Sequence, residues 1–168
     1  MIDKIETLGN QATMSAPVGL EQETFGGHIV GGSTHDTLTN YMEAKNAAMT
    51  PLLDAPGIAA LYSENATLIM PLEGQGDIEV VGRPAIEAYF ADIGKAMLSL
   101  SYIEHRRTVE GRHAVWEGLM NGIQAATKNR MEVPVVFSID FDDTDLVCHL
   151  RAFFNIDEAR RQLPEIEG

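Results

Sequence analysis

Hydrophobic and polar positions change their rhythm part-way along the chain. Leu38, Tyr41, Met42, Ala48 and Met49 recur at helical spacing and predict a helix over 35–50, with Lys45 interrupting its apolar face. A second helix is predicted at 55–63, with Asp54 before it, Pro56 in its first turn, and Ile58, Leu61 and Tyr62 on its apolar side. Short strands follow at 66–70 and 78–81, separated by a loop containing Gly74 and Gly76. Ile86, Tyr89, Phe90, Ile93 and Met97 form the apolar stripe of a third helix over 84–97. After residue 98 alternation replaces helical spacing.

The alternating part predicts a strand over 99–109 and three long strands at 112–126, 131–142 and 145–155. Thr127-Lys128-Asn129-Arg130 and Asp142-Asp143-Thr144 are the turns between the long strands, because Asn, Asp and Thr side chains bond back to their own backbone. Helices segregated from an antiparallel meander make an α+β fold. Long strands twist and curl. The expected architecture is therefore a conical barrel of a curled, mainly antiparallel sheet, closed by three helices. Residues 1–33 carry the glycine pairs Gly26-Gly27 and Gly31-Gly32 without a hydrophobic period, and are expected to be an extended or mobile arm ahead of a single domain over 34–168. A short helical turn and an acidic end are expected over 156–168.

Composition narrows the function class. The chain has 168 residues, 45% of them hydrophobic and 22% charged, which suits one soluble domain with a real core. Its net charge of −13 argues against nucleic acid and anionic membrane surfaces as partners. No stretch approaches a membrane span, no secretory leader is visible, and a cytoplasmic location is expected. The single cysteine, Cys148, rules out an intrachain disulfide and is expected to be a small buried hydrophobe. No His or carboxylate spacing suggests a metal, and no glycine loop opening a helix suggests a nucleotide, so no cofactor is expected.

The run Leu61-Tyr62-Ser63-Glu64-Asn65-Ala66-Thr67, then Met70-Pro71, Gly82-Arg83-Pro84-Ala85-Ile86 and Phe90, with Leu150-Arg151-Ala152-Phe153-Phe154-Asn155 near the close, resembles the nuclear transport factor two-like superfamily. Its small-molecule branch holds the SnoaL-like polyketide cyclases, limonene-epoxide hydrolase and ketosteroid isomerase. The resemblance spans about Tyr41 to Asn155 and implies a deep apolar pocket and a homodimer. The hydrolase's catalytic positions fall on Thr67, Ile69, Asn121, Leu119 and Ala152, which lack its residues. The isomerase's base falls on Met70 and its acid on Val136, and its oxyanion-hole tyrosine has a counterpart in Tyr41.

The resemblance also implies a strand parity. His113, Val115, Glu117, Leu119 and Asn121 would face the cavity, as would Val133, Val135, Phe137 and Ile139, and Cys148, Leu150, Ala152 and Phe154. Trp116 and Met120 would face out and make the dimer contact. The ligand would then be lined by Leu119, Val133, Val135, Phe137, Leu150, Ala152, Phe154, Met70 and Phe90. Glu117, His105, Asn121 and Tyr41 would be its few polar groups, the make-up of a small-molecule site.

Each of these four polar residues has a plainer role open to it: Glu117 and His105 on solvated faces, Asn121 at a bulge, Tyr41 in the core. The leading reading is an enzyme without cofactor that acts on an apolar ring-containing molecule by acid–base chemistry: isomerisation, cyclisation, elimination or hydrolysis. The alternative is a non-catalytic binding or dimerisation module of the same fold. The two part on whether Glu117 or His105 lies in the cavity within hydrogen-bond reach of Tyr41 or Asn121.

Overall fold

A computed structural model describes residues 32–72, 74 and 76–163. The compact unit described here begins at Thr34. The expected arm over 1–33, Gly32 and Ser33 apart, and the acidic end after residue 163 lie outside the described residues. Helices α1 (Thr34–Met49) and α2 (Ala55–Ala59) precede strands β1 (Tyr62–Leu72) and β2 (Gly76–Val81). Helix α3 (Arg83–Ala96) leads into β3 (Met97–Glu110), β4 (His113–Gln124), β5 (Arg130–Phe141) and β6 (Val147–Phe153), and α4 (Ile156–Gln162) follows.

Local chemistry explains the helix starts. Asp54 accepts the Gly57 N–H and caps α2, with Pro56 in its first turn. Asn155 caps α4 by accepting from the N–H groups of Asp157 and Glu158. The expected short tail turn is thus a seven-residue helix, and the described residues hold four helices rather than three.

The sheet has six strands in the order β2-β1-β6-β5-β4-β3, antiparallel except for β1 beside β6. The expected barrel is not closed: β2 and β3 are the two edges of an open sheet. Helix α1 packs on β3 and β4, and α3 on β1, β2 and β3. The sheet face beneath these helices, the inner face, supplies much of the core. Trp116, Phe137, Ile139, Leu150, Leu68, Val133 and Val135 are almost wholly buried there.

The register corrects one expected parity. Strands β4 and β5 pair as His113↔Asp140 through Ile123↔Arg130, so odd residues of one face even residues of the other. Odd residues in both strands cannot share a face. The inner set of β4 is Ala114, Trp116, Gly118, Met120 and Gly122, and its odd residues point outward. Val133, Val135, Phe137 and Ile139 of β5, and Leu150 and Ala152 of β6, are inward as expected.

Strand β3 changes parity at a bulge. Arg106 pairs with Glu117 and Glu104 with Gly118, which leaves His105 as the extra residue. The bulge puts both Glu104 and Arg107 toward Trp116. Below it, the two-residue turn Gly111-Arg112 sits between Glu110 and His113, and Gly111 has φ of 58°, which glycine adopts without strain.

Candidate active site

Five side chains from four elements meet where α1 packs on the sheet. On that helix Leu38, Tyr41, Met42, Lys45 and Met49 are all buried, at i, i+3, i+4, i+7 and i+11. Lys45 therefore does not interrupt the apolar face. It occupies a core position on it, with 2% exposure. Its Nζ lies 4.0 Å from the ring centroid of Phe137, 4.8 Å from Tyr102 and 5.4 Å from Tyr41. The amine donates to the Tyr41 hydroxyl at 3.2 Å, and that hydroxyl lies 3.1 Å from the Tyr62 hydroxyl. Tyr62 was expected on the second helix. Helix α2 stops at Ala59, so Tyr62 opens β1 and reaches Tyr41.

The electrostatics are unusual for a lysine. Among the described residues no carboxylate forms an ion pair with Lys45. Three ring faces attract an ammonium, at ~0.5–2 kcal/mol each. Taking the charge out of water costs several kcal/mol and outweighs them. Burial pushes the Lys45 amine from an ordinary 10.5 down to about 7. Burial raises the Tyr41 hydroxyl well above its ordinary value, and the neighbouring Tyr62 adds to this. Burial raises Tyr62 and Tyr102 as well. Near neutrality the cluster thus holds a partly neutral amine beside phenols that keep their protons.

Beside the cluster a cleft of about 220 Å³ opens between α1, β3 and β4, lined by Met42, Asn46, Tyr102, Glu104, Arg107 and Trp116 among others. Arg107 donates two hydrogen bonds to the Glu104 carboxylate, at 2.6 and 2.7 Å, and a third to Thr39 at 2.7 Å. The Trp116 indole N–H donates to Glu104 at 2.8 Å. The Arg107 hydrogen bonds, opposed by some burial and helped by Trp116, hold the Glu104 carboxyl below its usual range. These contacts tie β3 and β4 to α1 and leave Glu104 ionised. Tyr102 is the shared wall, lining the cleft and carrying Lys45 against its ring.

The expected site residues divide. Tyr41 is buried in the cluster. Glu117 is on the outer face, ion-paired with Arg106 at 2.7 Å. His105 is exposed at the bulge. Asn121 is half-buried on the outer face, between Ser101 and Glu132. Leu119 lies on that face too, between Ile103 and Pro134, and does not line the interior. Neither Glu117 nor His105 hydrogen-bonds to Tyr41 or Asn121. Val133, Val135, Phe137, Leu150, Ala152 and Phe90 are buried in the core, with Met70 and Phe154 packed against it. Cys148 was expected to face inward as a buried hydrophobe; it is half-buried, its thiol on the Asp140 carbonyl. Lys45 and Tyr62 were missed. The signal for Lys45 was its i+7 position from Leu38 on an otherwise apolar stripe.

The SnoaL-like domain profile matches residues 38–149. The chain belongs to the SnoaL-like domain family. Solved structures agree with this SnoaL-like fold. A phenazine biosynthesis-related protein from Pseudomonas aeruginosa superposes with a TM-score of 0.63 at 17% identity, over 80% of this chain and 90% of that one. A hypothetical protein with a ketosteroid isomerase-like fold from Catenulispora acidiphila, in complex with trimethylamine, gives 0.62 at 15% identity, over 73% and 90%. SalBIII, an epoxide hydrolase/cyclase-like enzyme of pyran ring formation in the polyether salinomycin, gives 0.59 at 16% identity, over 74% and 92%. No curated protein sequence matches the chain. Among the described residues no helix is long and apolar enough to cross a membrane.

Proposed function

We propose that this SnoaL-like protein is an enzyme that moves protons on an apolar, ring-containing small molecule. Isomerisation, cyclisation, elimination and hydrolysis all fall within that chemistry, and the chain's own side chains would carry it. Lys45 acts as the base, and Tyr41, backed by Tyr62, as the acid. The observation that carries this reading is a buried amine without a carboxylate partner among the described residues, hydrogen-bonded to a pair of buried phenols. A base works best when its pKa lies near the working pH, and burial brings Lys45 to about 7. A phenol that keeps its proton can donate to an oxygen that gains charge as the proton leaves carbon. Tyr102 and Trp116 give the adjoining cleft two aromatic surfaces against which a ring can lie, beside the charged Glu104 and Arg107. The name of the SalBIII enzyme, with its ring-forming chemistry, is consistent with this class.

Proton abstraction can be read without knowing the product. Ring ketones such as 2-tetralone and cyclohexenone, incubated with the protein in deuterated water at pH 7, should take up deuterium next to the carbonyl faster than the buffer reaction. Lys45→Met should lower that enzymatic rate by at least about 100-fold, the usual contribution of a positioned base. Mass spectrometry reads the uptake. Uptake that is the same in Lys45→Met removes the base, and none at all across such ketones leaves a binding module of the same fold.

A homodimer through the outer face of the long strands is part of the proposal, on residues other than Trp116 and Met120, which the register turns inward. Ile103 and Phe153 are 53% and 47% exposed there, with Leu119 and Val115 half-buried beside them. Leu119→Glu should shift a micromolar dimer toward monomer in sedimentation equilibrium, because a charge would lose water without gaining a partner. A wild-type protein that is monomeric in that experiment rules the dimer out.

A further inference from the structure

We infer that Lys45 captures its ligand covalently, as an imine, and that the ligand is therefore an apolar ring aldehyde or ketone. This rests on the reading of the same cluster as a site of proton chemistry on a ring compound, and narrows it to a carbonyl substrate on which Lys45 is the nucleophile rather than the base and Tyr41 moves the protons.

Three observations carry it. The first is the contrast among the lysines. Lys95 lies in a surface ion pair with Asp92, its side chain 79% exposed, and Lys128 donates to the Ala125 carbonyl on an exposed turn. Lys45 alone among the described lysines is buried. The second is the lack of a use for its charge. A lysine kept as a cation in a core is ordinarily held by a carboxylate, and one kept for packing is replaced without loss by methionine or leucine. Lys45 has a hydroxyl and three ring faces instead. An amine desolvated in this way is a nucleophile at neutral pH. The third is the position of Tyr41. Its hydroxyl is within 3.2 Å of Nζ, where it can pass protons between the nitrogen and the oxygen of a bound carbonyl, and Tyr62 continues the relay.

The step balances within these groups. The Lys45 nitrogen adds its lone pair to the carbonyl carbon, and the carbonyl oxygen takes a proton from Tyr41. Tyr41 regains a proton from the nitrogen, giving a carbinolamine. Carbon–oxygen cleavage then releases water, which carries away both protons of the original amine and leaves a carbon–nitrogen double bond. Nothing is oxidised or reduced. The rings around Nζ keep bulk water from reversing the step. The cleft shares Tyr102 with the cluster and is not itself lined by Lys45, so a ligand in the cleft reaches the amine by displacing the Tyr102 side chain.

Reductive trapping tests this. The full chain is incubated with 2-tetralone and sodium cyanoborohydride at pH 7, and the product is peptide-mapped by mass spectrometry. The expected result is one adduct per chain, on Lys45, and none in Lys45→Met. Tyr41→Phe should slow the labelling by at least about tenfold while leaving its position unchanged. Labelling spread over Lys95 and Lys128 with Lys45 unmodified overturns the inference, as does a labelling rate that Tyr41→Phe leaves unaltered. The wild-type map locates the adduct directly, so the test survives a Lys45→Met protein that folds poorly. Deuterium uptake without an adduct on Lys45 overturns the imine and keeps the acid–base reading. An adduct on Lys45 without deuterium uptake supports the imine and overturns that reading.

Discussion

Lys45→Met is expected to stabilise the protein by roughly 5 kcal/mol at pH 6 and by only about 1 kcal/mol at pH 9.5. Methionine matches the lysine stem in length and has no charge to bury. In the unfolded chain the amine titrates at its ordinary 10.5, and in the folded protein at about 7. Between these values the unfolded state binds more protons than the folded state, so wild-type stability rises with pH across this window. Below about pH 7 both states are protonated and the folded state carries the full cost of a buried ammonium, on the order of 5 kcal/mol for such a drop.

The buried tyrosines act at the alkaline end. Tyr89, raised by burial to about 12 from 10.0, contributes stability that is present below pH 10 and lost as pH rises through 12; Tyr41, Tyr62 and Tyr102 are raised in the same direction. Wild-type stability should therefore peak near pH 10. Urea unfolding of both proteins from pH 5 to 10 checks this. Parallel stability curves would show that Lys45 keeps its ordinary pKa, and the proposed base would then be fully protonated at pH 7.

Gly118→Ala is the second large effect, expected to cost at least about 3 kcal/mol or to prevent folding. A Cβ at residue 118 would overlap the carbonyl oxygen of Ile103 and lie 2.5 Å from Cη2 of Trp116. The carbonyl belongs to the β3–β4 ladder, where Glu104 pairs with Gly118 and Ile103 with Leu119, so it cannot retreat without breaking strand pairing beside the bulge. Trp116 is stacked on Phe137, centroids 5.5 Å apart, and its N–H is held by Glu104. Gly122→Ala is the control. Its Cβ would meet the ends of Met97, Met131 and Leu100, flexible side chains that can shift, and it should cost about 1 kcal/mol. Thermal unfolding of the two variants gives the comparison. Equal losses would mean that the indole does not lie across Gly118.

What the sequence determined by itself is local. Hydrophobic period, turn chemistry and capping residues act over a few residues, so the α+β class, the helix starts at Asp54-Ala55-Pro56 and Arg83-Pro84, and the order of the long strands were legible from Thr34 onward. The inward set of β5 was legible too, because Val133, Val135, Phe137 and Ile139 are apolar in strict alternation. The parity of β4 was harder, since its outward Val115 and Leu119 are as apolar as its inward Ala114 and Met120. Its register joins odd positions of β4 to even positions of β5, so the two strands present opposite parities to the core. Only the tertiary structure decided the rest. The strand order leaves β2 and β3 at opposite edges, a strand begins at Tyr62 where helical spacing runs on, and the bulge at His105 turns Glu104 and Arg107 the same way. The candidate site is the sharpest case. Its three polar groups, Tyr41, Lys45 and Tyr62, lie on two elements and become neighbours only when α1 settles on the sheet. In the sequence Lys45 reads as a break in an apolar stripe. In the fold, burial among Tyr41, Tyr102 and Phe137 lowers the pKa of its amine to about 7.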